Sequence, residues 1–167
     1  KLVYKLYTIG DCYVVMGMLD AKDRKPALEA KNTVELGFEM INIIKRVRDH
    51  INFQGLDMRI GIHTGSIIGG VLGTEIVRYD IYGPDVLIAN KMESKGERGI
   101  LQVSQSTKDL LEQYYPEEFK YTFHTTVDIP SIDRSTDGYF INFVISCNCI
   151  YHFHSFNYFA KNSMFSI

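Results

Sequence analysis

A few side chains in this chain could do chemistry by type and spacing. Asp11 sits in "YTIGDCY", directly after a glycine and between two runs of strand formers. A Gly-Asp pair is a common hairpin turn, so on pattern alone Asp11 is either a turn residue or a carboxylate placed at a fixed tip. Arg59, in "DMRIGIH", alternates out of a strand. Its fork suits phosphate oxygens, and it reads equally as a surface arginine. His63 and Thr64 follow that strand, where they could approach phosphates or serve as hydrogen-bonded structural residues. Gly65, Gly69, Gly70 and Gly73 come next, but no G-K-[ST] follows them. They are expected to allow a bulge or close backbone packing rather than to cradle phosphate. Near the C-terminus, Cys147-x-Cys149 and His152-x-His154 suggest zinc, yet zinc-binding cysteines are usually separated by two or more residues. Cys12 reads as a small buried residue, and the basic cluster Lys45, Arg46 and Arg48 as a solvated helix face.

The chain has 167 residues, 46% hydrophobic and 23% charged, which suffices for one globular domain. With 18 basic and 20 acidic residues the net charge is -2, and the basic excess of a general nucleic-acid binder is absent. No nucleic-acid partner is therefore expected. Three cysteines make a poor disulfide framework and favour a reducing compartment. The sequence opens on Lys1 within a strand pattern, with no signal peptide or membrane span visible, and it reads as an N-terminally shortened fragment.

The elements that position these residues follow from periodicity. Val3–Thr8 and Tyr13–Met18 are β-branched and aromatic, and Gly10-Asp11 joins them as a hairpin. Residues 20–32, charged and carrying Pro26, read as an exposed loop. Val34, Phe38, Ile41 and Ile44, with Val47 and Ile51, recur at helical spacing from Asn32 or Thr33 onward. Met58, Ile60 and Ile62 alternate as one face of a strand, and Tyr79–Tyr82 reads as another strand. Pro84 can open a short helix carrying Val86, Ile88, Ala89 and Met92 and ending before Gly96. Ile100–Val103 is a strand, Ser104 can cap a helix to Tyr114, and Phe119–His124 and Tyr139–Val144 can close the sheet. This alternation favours a sandwich of helices on a mixed sheet. From about Asn142 the composition shifts to Phe, Asn, Tyr and Ile with little charge. Residues 142–167 are read as an extra strand, a disordered tail or translated non-coding sequence, apart from a domain at 1–141.

The blocks "TIGDCY", "MRIGIHTG", "GGVLG", "RYDIYGPDVLIANKMES" and "GILQVS" occur in this order. Together they resemble the catalytic domain of class III nucleotide cyclases, the adenylyl and guanylyl cyclases, over about Lys1 to Ile141. The wording of "IVRYDIYGPDVLIANKMES" looks most like guanylyl cyclases of ciliates and related protists, in which two cyclase domains share one membrane-bound chain. The resemblance implies an α+β fold, a ferredoxin-like βαββαβ-type sandwich, here without its first strand and helices.

The resemblance also implies the chemistry. The ribose 3′-hydroxyl of a nucleoside triphosphate attacks its own α-phosphorus and pyrophosphate leaves, with two divalent ions, Mg²⁺ or Mn²⁺, in the site. Hard cations want oxygen ligands, and Asp11 matches one of the family's two metal aspartates. The other belongs upstream of Lys1, so the fragment alone is expected to be inactive. Arg59 matches an arginine that meets the triphosphate end. The site forms between two domains. One gives the metal aspartates, and the other gives base-reading residues plus an Asn and an Arg. In this chain that Asn is Leu87 and that Arg is Lys91. Leucine cannot hydrogen-bond a ribose, and lysine lacks the bidentate fork. The base-selecting positions are Tyr7, neither the glutamate of guanylyl nor the lysine of adenylyl cyclases, and Asp80, an aspartate as in adenylyl cyclases.

These departures suggest the metal-bearing half of a heterodimer, with a second cyclase domain supplying base recognition. Tyr7, Asp80, Leu87 and Lys91 would line a degenerate second pocket. GTP is favoured over ATP from the protist wording alone. The domain is expected on the cytoplasmic side of a membrane-bound parent. A catalytically silent dimerisation or regulatory module is the competing class, and a polymerase palm shares only the fold.

Overall fold

The structure is a computed structural model that describes residues 3–17, 22–75 and 77–144. β1 (Tyr4–Ile9) and β2 (Cys12–Met16) pair antiparallel, with Ile9 opposite Cys12 and Gly10-Asp11 as the two-residue loop. Gly10 takes φ +58, the left-handed geometry such a loop asks of its first residue. The pairing slips between Lys5 and Tyr7, as a bulge.

α1 spans Pro26–Ile51, so the helix begins six residues or more before the expected start. Pro26, a loop signal by sequence, occupies the first turn, where its missing N–H costs nothing and its fixed φ suits a helix. The following "ALEAK" consists of good helix formers. The buried stripe is Ala30, Val34, Gly37, Ile41 and Ile44, whereas Val47 and Ile51 at the far end are exposed.

Four strands form the main sheet in the order β3 (Ile60–Ile62), β6 (Leu101–Ser104), β8 (Arg134–Phe143), β7 (Phe119–Ile129). β3 runs parallel to β6, and the other neighbours are antiparallel, so the sheet is mixed as expected. The last two strands are longer than their sequence signals, because mutual pairing from Phe119–Phe143 to Ile129–Arg134 carries polar residues such as Thr125 and Thr126 along. β4 (Ile68–Leu72) and β5 (Arg78–Tyr82) make a separate two-stranded ribbon. The strand β4 is not apparent from the sequence. Its glycines obscured a period, and it pairs with β5 in regular register rather than as a bulge.

α2 (Pro84–Ser94) lies on one face of the main sheet, and α1 and α3 (Gln105–Tyr114) on the other. Alternation along β3 separates the layers. Ile60 and Ile62 join the core with α1, and Gly61 faces α2. The larger core also contains Leu101, Val103, Leu111, Phe119 and Ile141, and the smaller one joins Ile88 and Met92 to Val127 and Ile129. Leu101 is 1% exposed at the centre of the larger core. Its replacement by alanine is expected to cost about 2–5 kcal/mol, read as a lower urea midpoint at unchanged slope.

The segment 145–167, including Cys147, Cys149, His152 and His154, lies outside the described residues. Among the described residues, no helix is long and apolar enough to cross a membrane.

Candidate active site

The hairpin loop and the end of α2 each carry a carboxylate whose charge is felt at Cys12. Asp11 is exposed in the loop after β1. The adjacent Cys12 is half-buried, and its thiol is pushed up by burial first and then by the nearby carboxylates of Glu93 and Asp11. Such a thiol is a packing residue and a poor nucleophile. Glu93, near the end of α2, accepts a hydrogen bond from Arg59 Nε at 2.8 Å. Arg59 precedes β3 and is 42% exposed at its side chain, against 20% for Glu93. Arg59 and Glu93 thus form an ion pair between the entry to β3 and α2, and the charges of Glu93 and Asp11 are both felt at Cys12.

A second grouping closes around Asp80 in β5. Asp80 is 5% exposed. It accepts hydrogen bonds from the Ile81 amide (2.9 Å), Arg78 Nη2 (2.9 Å) and the Tyr82 hydroxyl (3.1 Å), and the side chain of Tyr7 in β1 lies close by and helps favour its charged form. Burial pushes the Asp80 carboxyl up, but these hydrogen bonds outweigh it and hold the group below its ordinary range. Arg78 stacks over the Tyr7 ring, 5.5 Å from its centroid. The two positions matched to base selection are therefore brought together, but their polar groups serve each other.

Leu87 and Lys91 stand one turn apart on the exposed side of α2, and Leu87 is 44% exposed. Ile88 and Met92, the next residues, point into the core. The helix therefore presents positions 87 and 91 to whatever covers it.

His63 sits in a network tying four segments. Its Nδ1 lies 2.7 Å from Ser104 Oγ and 3.2 Å from Ser106 Oγ. Its Nε2 is 3.5 Å from Asp85 Oδ1. Asp85 also accepts the Ser66 amide at 2.6 Å and Arg134 Nη1 at 3.3 Å. Ser104 stands at the N-cap of α3, but its hydroxyl goes to this network and makes no capping bond to the helix amides. Burial lowers the His63 pKa, against the raising effect of Asp85. The folded protein thus prefers the neutral ring, and the unfolded chain binds the proton more readily. Stability should fall as the pH drops below the ordinary value of 6.5 and level off below the folded-state pKa. Urea midpoints between about pH 5 and pH 7.5 are expected to show this loss, and His63→Gln to flatten it.

Glu93, Arg78, Tyr82 and Asp85 are site-forming residues that the sequence reading passed over. Glu93 lay in the quoted "NKMES" block, and its only local signal was an acid beside a buried methionine. Among the described residues, no three His, Cys, Asp or Glu side chains gather into a metal cage. Asp11 offers one hard carboxylate on an exposed loop. That donor fits an oxygen-seeking divalent cation whose remaining ligands come from elsewhere, and it does not fit a closed nitrogen–sulfur centre.

Residues 1–143 match the family model described as the adenylate and guanylate cyclase catalytic domain. The chain is 42% identical over 130 residues to guanylate cyclase alpha of Plasmodium falciparum (isolate 3D7), and 39% identical over 143 residues to guanylate cyclase of Toxoplasma gondii (strain ATCC 50853 / GT1). These matches cover 76% and 83% of this chain but only 3% of each relative. Among solved structures, the guanylate cyclase domain of RhGC from Catenaria anguillulae, in complex with GTP, superposes with a TM-score of 0.67 at 26% identity. That match covers 84% of this chain and 72% of the solved one. The adenylyl cyclase CyaB from P. aeruginosa shares the fold with a TM-score of 0.70 at 23% identity, over 84% of this chain and 71% of that one. The order of strands and helices described here is thus a known architecture, and this chain belongs to the adenylate and guanylate cyclase family of class III catalytic domains.

Proposed function

We propose that this chain is the metal-bearing half of a purine nucleotide cyclase and works against a second cyclase domain of the same parent. The observation that carries the reading is an asymmetry between its two groupings. Asp11 and Arg59 are open to solvent, Arg59 being 42% exposed at its side chain, whereas Asp80 is 5% exposed and its carboxylate is taken up by Arg78, Tyr82 and the Ile81 amide, beside Tyr7. Asp11 is a ligand for Mg²⁺ or Mn²⁺, and Arg59 meets the triphosphate end. Divalent ions there supply charge neutralisation on the phosphates and a more acidic 3′-hydroxyl. This hydroxyl gives up its proton to solvent and its oxygen forms a bond to the α-phosphorus, the bond to the bridging oxygen breaks, and pyrophosphate departs with the electron pair.

The partner domain supplies base recognition and the Asn and Arg that Leu87 and Lys91 replace here. Exposed Ile68, Val71 and Leu72 on β4, with Tyr82 and Leu87, offer the apolar surface such a partner would cover. GTP is the favoured substrate because both apicomplexan relatives are named guanylate cyclases. We place the domain on the cytoplasmic side of a membrane-bound parent, where nucleoside triphosphates and a reducing environment occur together.

The test is a cyclase assay on the complete domain co-expressed with its partner, with Mn²⁺ and either ATP or GTP. Formation of one cyclic nucleotide names the product. In that assembly Leu87→Asn with Lys91→Arg should leave turnover within about twofold, since both face the second pocket. A large gain from this pair would mean that the productive pocket is the one lined by this chain. A folded assembly inert with both nucleotides would favour the other reading, a silent regulatory module, to which the closed Tyr7–Asp80 grouping also lends support.

A further inference from the structure

Arg59 is held by a residue that no part of the proposed chemistry has used. The contact from Glu93 engages Nε alone, at 2.8 Å, and leaves the remaining four N–H donors of the guanidinium unclaimed by it. Two features make this contact a fixed one. Arg59, just before β3, and Gly61 within it are two residues apart and lie on the same α2 side. A Cβ at Gly61 would fall within 2.6 Å of Glu93 Cα and nearer still to its amide nitrogen, so the Glu93 backbone rests directly on the strand. The anchor point of the carboxylate is therefore set by backbone contact rather than by a flexible loop.

We propose that Glu93 is a positioning residue for substrate. It grips Arg59 through Nε, so that the guanidinium is oriented before the triphosphate arrives and its Nη edge is kept for phosphate oxygens. A free arginine at a half-exposed position samples many rotamers, and ordering it on binding weakens affinity. An end-on carboxylate on Nε removes that disorder without occupying the bidentate edge. The inference rests on the reading of Arg59 as a triphosphate contact.

The experiment uses the parent chain with both cyclase domains, and compares Glu93→Ala, Glu93→Gln, Arg59→Ala and the Arg59→Ala/Glu93→Ala double variant. Binding of 3′-deoxy-GTP, which cannot cyclise, reports the triphosphate, and GMP serves as the control without it. Glu93→Ala should weaken 3′-deoxy-GTP binding about tenfold and leave GMP binding unchanged. Glu93→Gln should weaken it less, since an amide oxygen still accepts from Nε. The double variant should bind no worse than Arg59→Ala alone, because the effect of Glu93 passes through Arg59. Equal weakening of 3′-deoxy-GTP and GMP would mark Glu93 as a general support of α2 and overturn the proposal. So would tighter triphosphate binding in Glu93→Ala, which would make the carboxylate a competitor of phosphate. Unchanged binding in Glu93→Ala beside a weakened Arg59→Ala would overturn the positioning role alone. Unchanged binding in Arg59→Ala itself would overturn the role of Arg59 and this proposal with it.

Discussion

Asp11→Ala should abolish cyclic-nucleotide formation in the complete two-domain assembly, by at least about 10²-fold in turnover, the loss expected when a preorganised electrostatic contribution to the transition state is removed. Asp11 is exposed in a two-residue loop whose geometry is set by Gly10 and by the Ile9–Cys12 pairing. Removing its carboxylate takes away an oxygen ligand and leaves in place the glycine and the strand pairing that turn the hairpin. Surface substitutions of this kind usually change stability by less than about 0.5 kcal/mol, so the urea midpoint should stay put. Asp11→Asn separates charge from shape. It should fall with alanine if the anionic ligand is what matters, and keep most activity if Asp11 is only a turn residue. A variant that loses activity in step with its midpoint would show that Asp11 acts through the fold.

Gly61→Ala should be the most damaging single-methyl change in the described structure. The new Cβ would meet the backbone of Met92 and Glu93, and neither can move without lifting α2 off β3. Overpacking that cannot be relieved by a side-chain rotation costs about 3 kcal/mol or more, a large part of the 5–15 kcal/mol of a typical domain. Displacement of α2 would carry away Glu93, and with it the grip on Arg59, so activity should fall along with the urea midpoint. Gly70→Ala in β4 is the control, since its Cβ would meet nothing within 4 Å and its φ is ordinary. It should leave the midpoint within about 0.5 kcal/mol. A Gly61→Ala protein as stable as the parent would show that α2 can shift at little cost.

Much of the framework was legible in the residues themselves, for local reasons. Gly10-Asp11 turns a hairpin because only a two-residue loop with a left-handed first position joins those strands. Met58, Ile60 and Ile62 share a buried face because strand side chains alternate, and all three are 7% exposed or less. Errors arose where one residue type serves two local states. Pro26 marks either a loop or the first turn of a helix, and only the packing of Ala30 against the core selects the helix. β4 carries two adjacent glycines and exposed apolar side chains, and its strand character comes from pairing with β5 rather than from its own period.

By itself, then, the sequence determined the element types, the loop that carries Asp11 and the ordered blocks of the cyclase family, since each rests on neighbours a few residues apart. Only the tertiary structure decided which polar groups meet. Arg59 finds Glu93, His63 finds Ser104 and Asp85, and Tyr7 finds Asp80 across separations that no local period encodes. A carboxylate on a helix and a guanidinium just before a strand become partners only when Gly61 lets the two backbones touch, and that contact exists only in three dimensions.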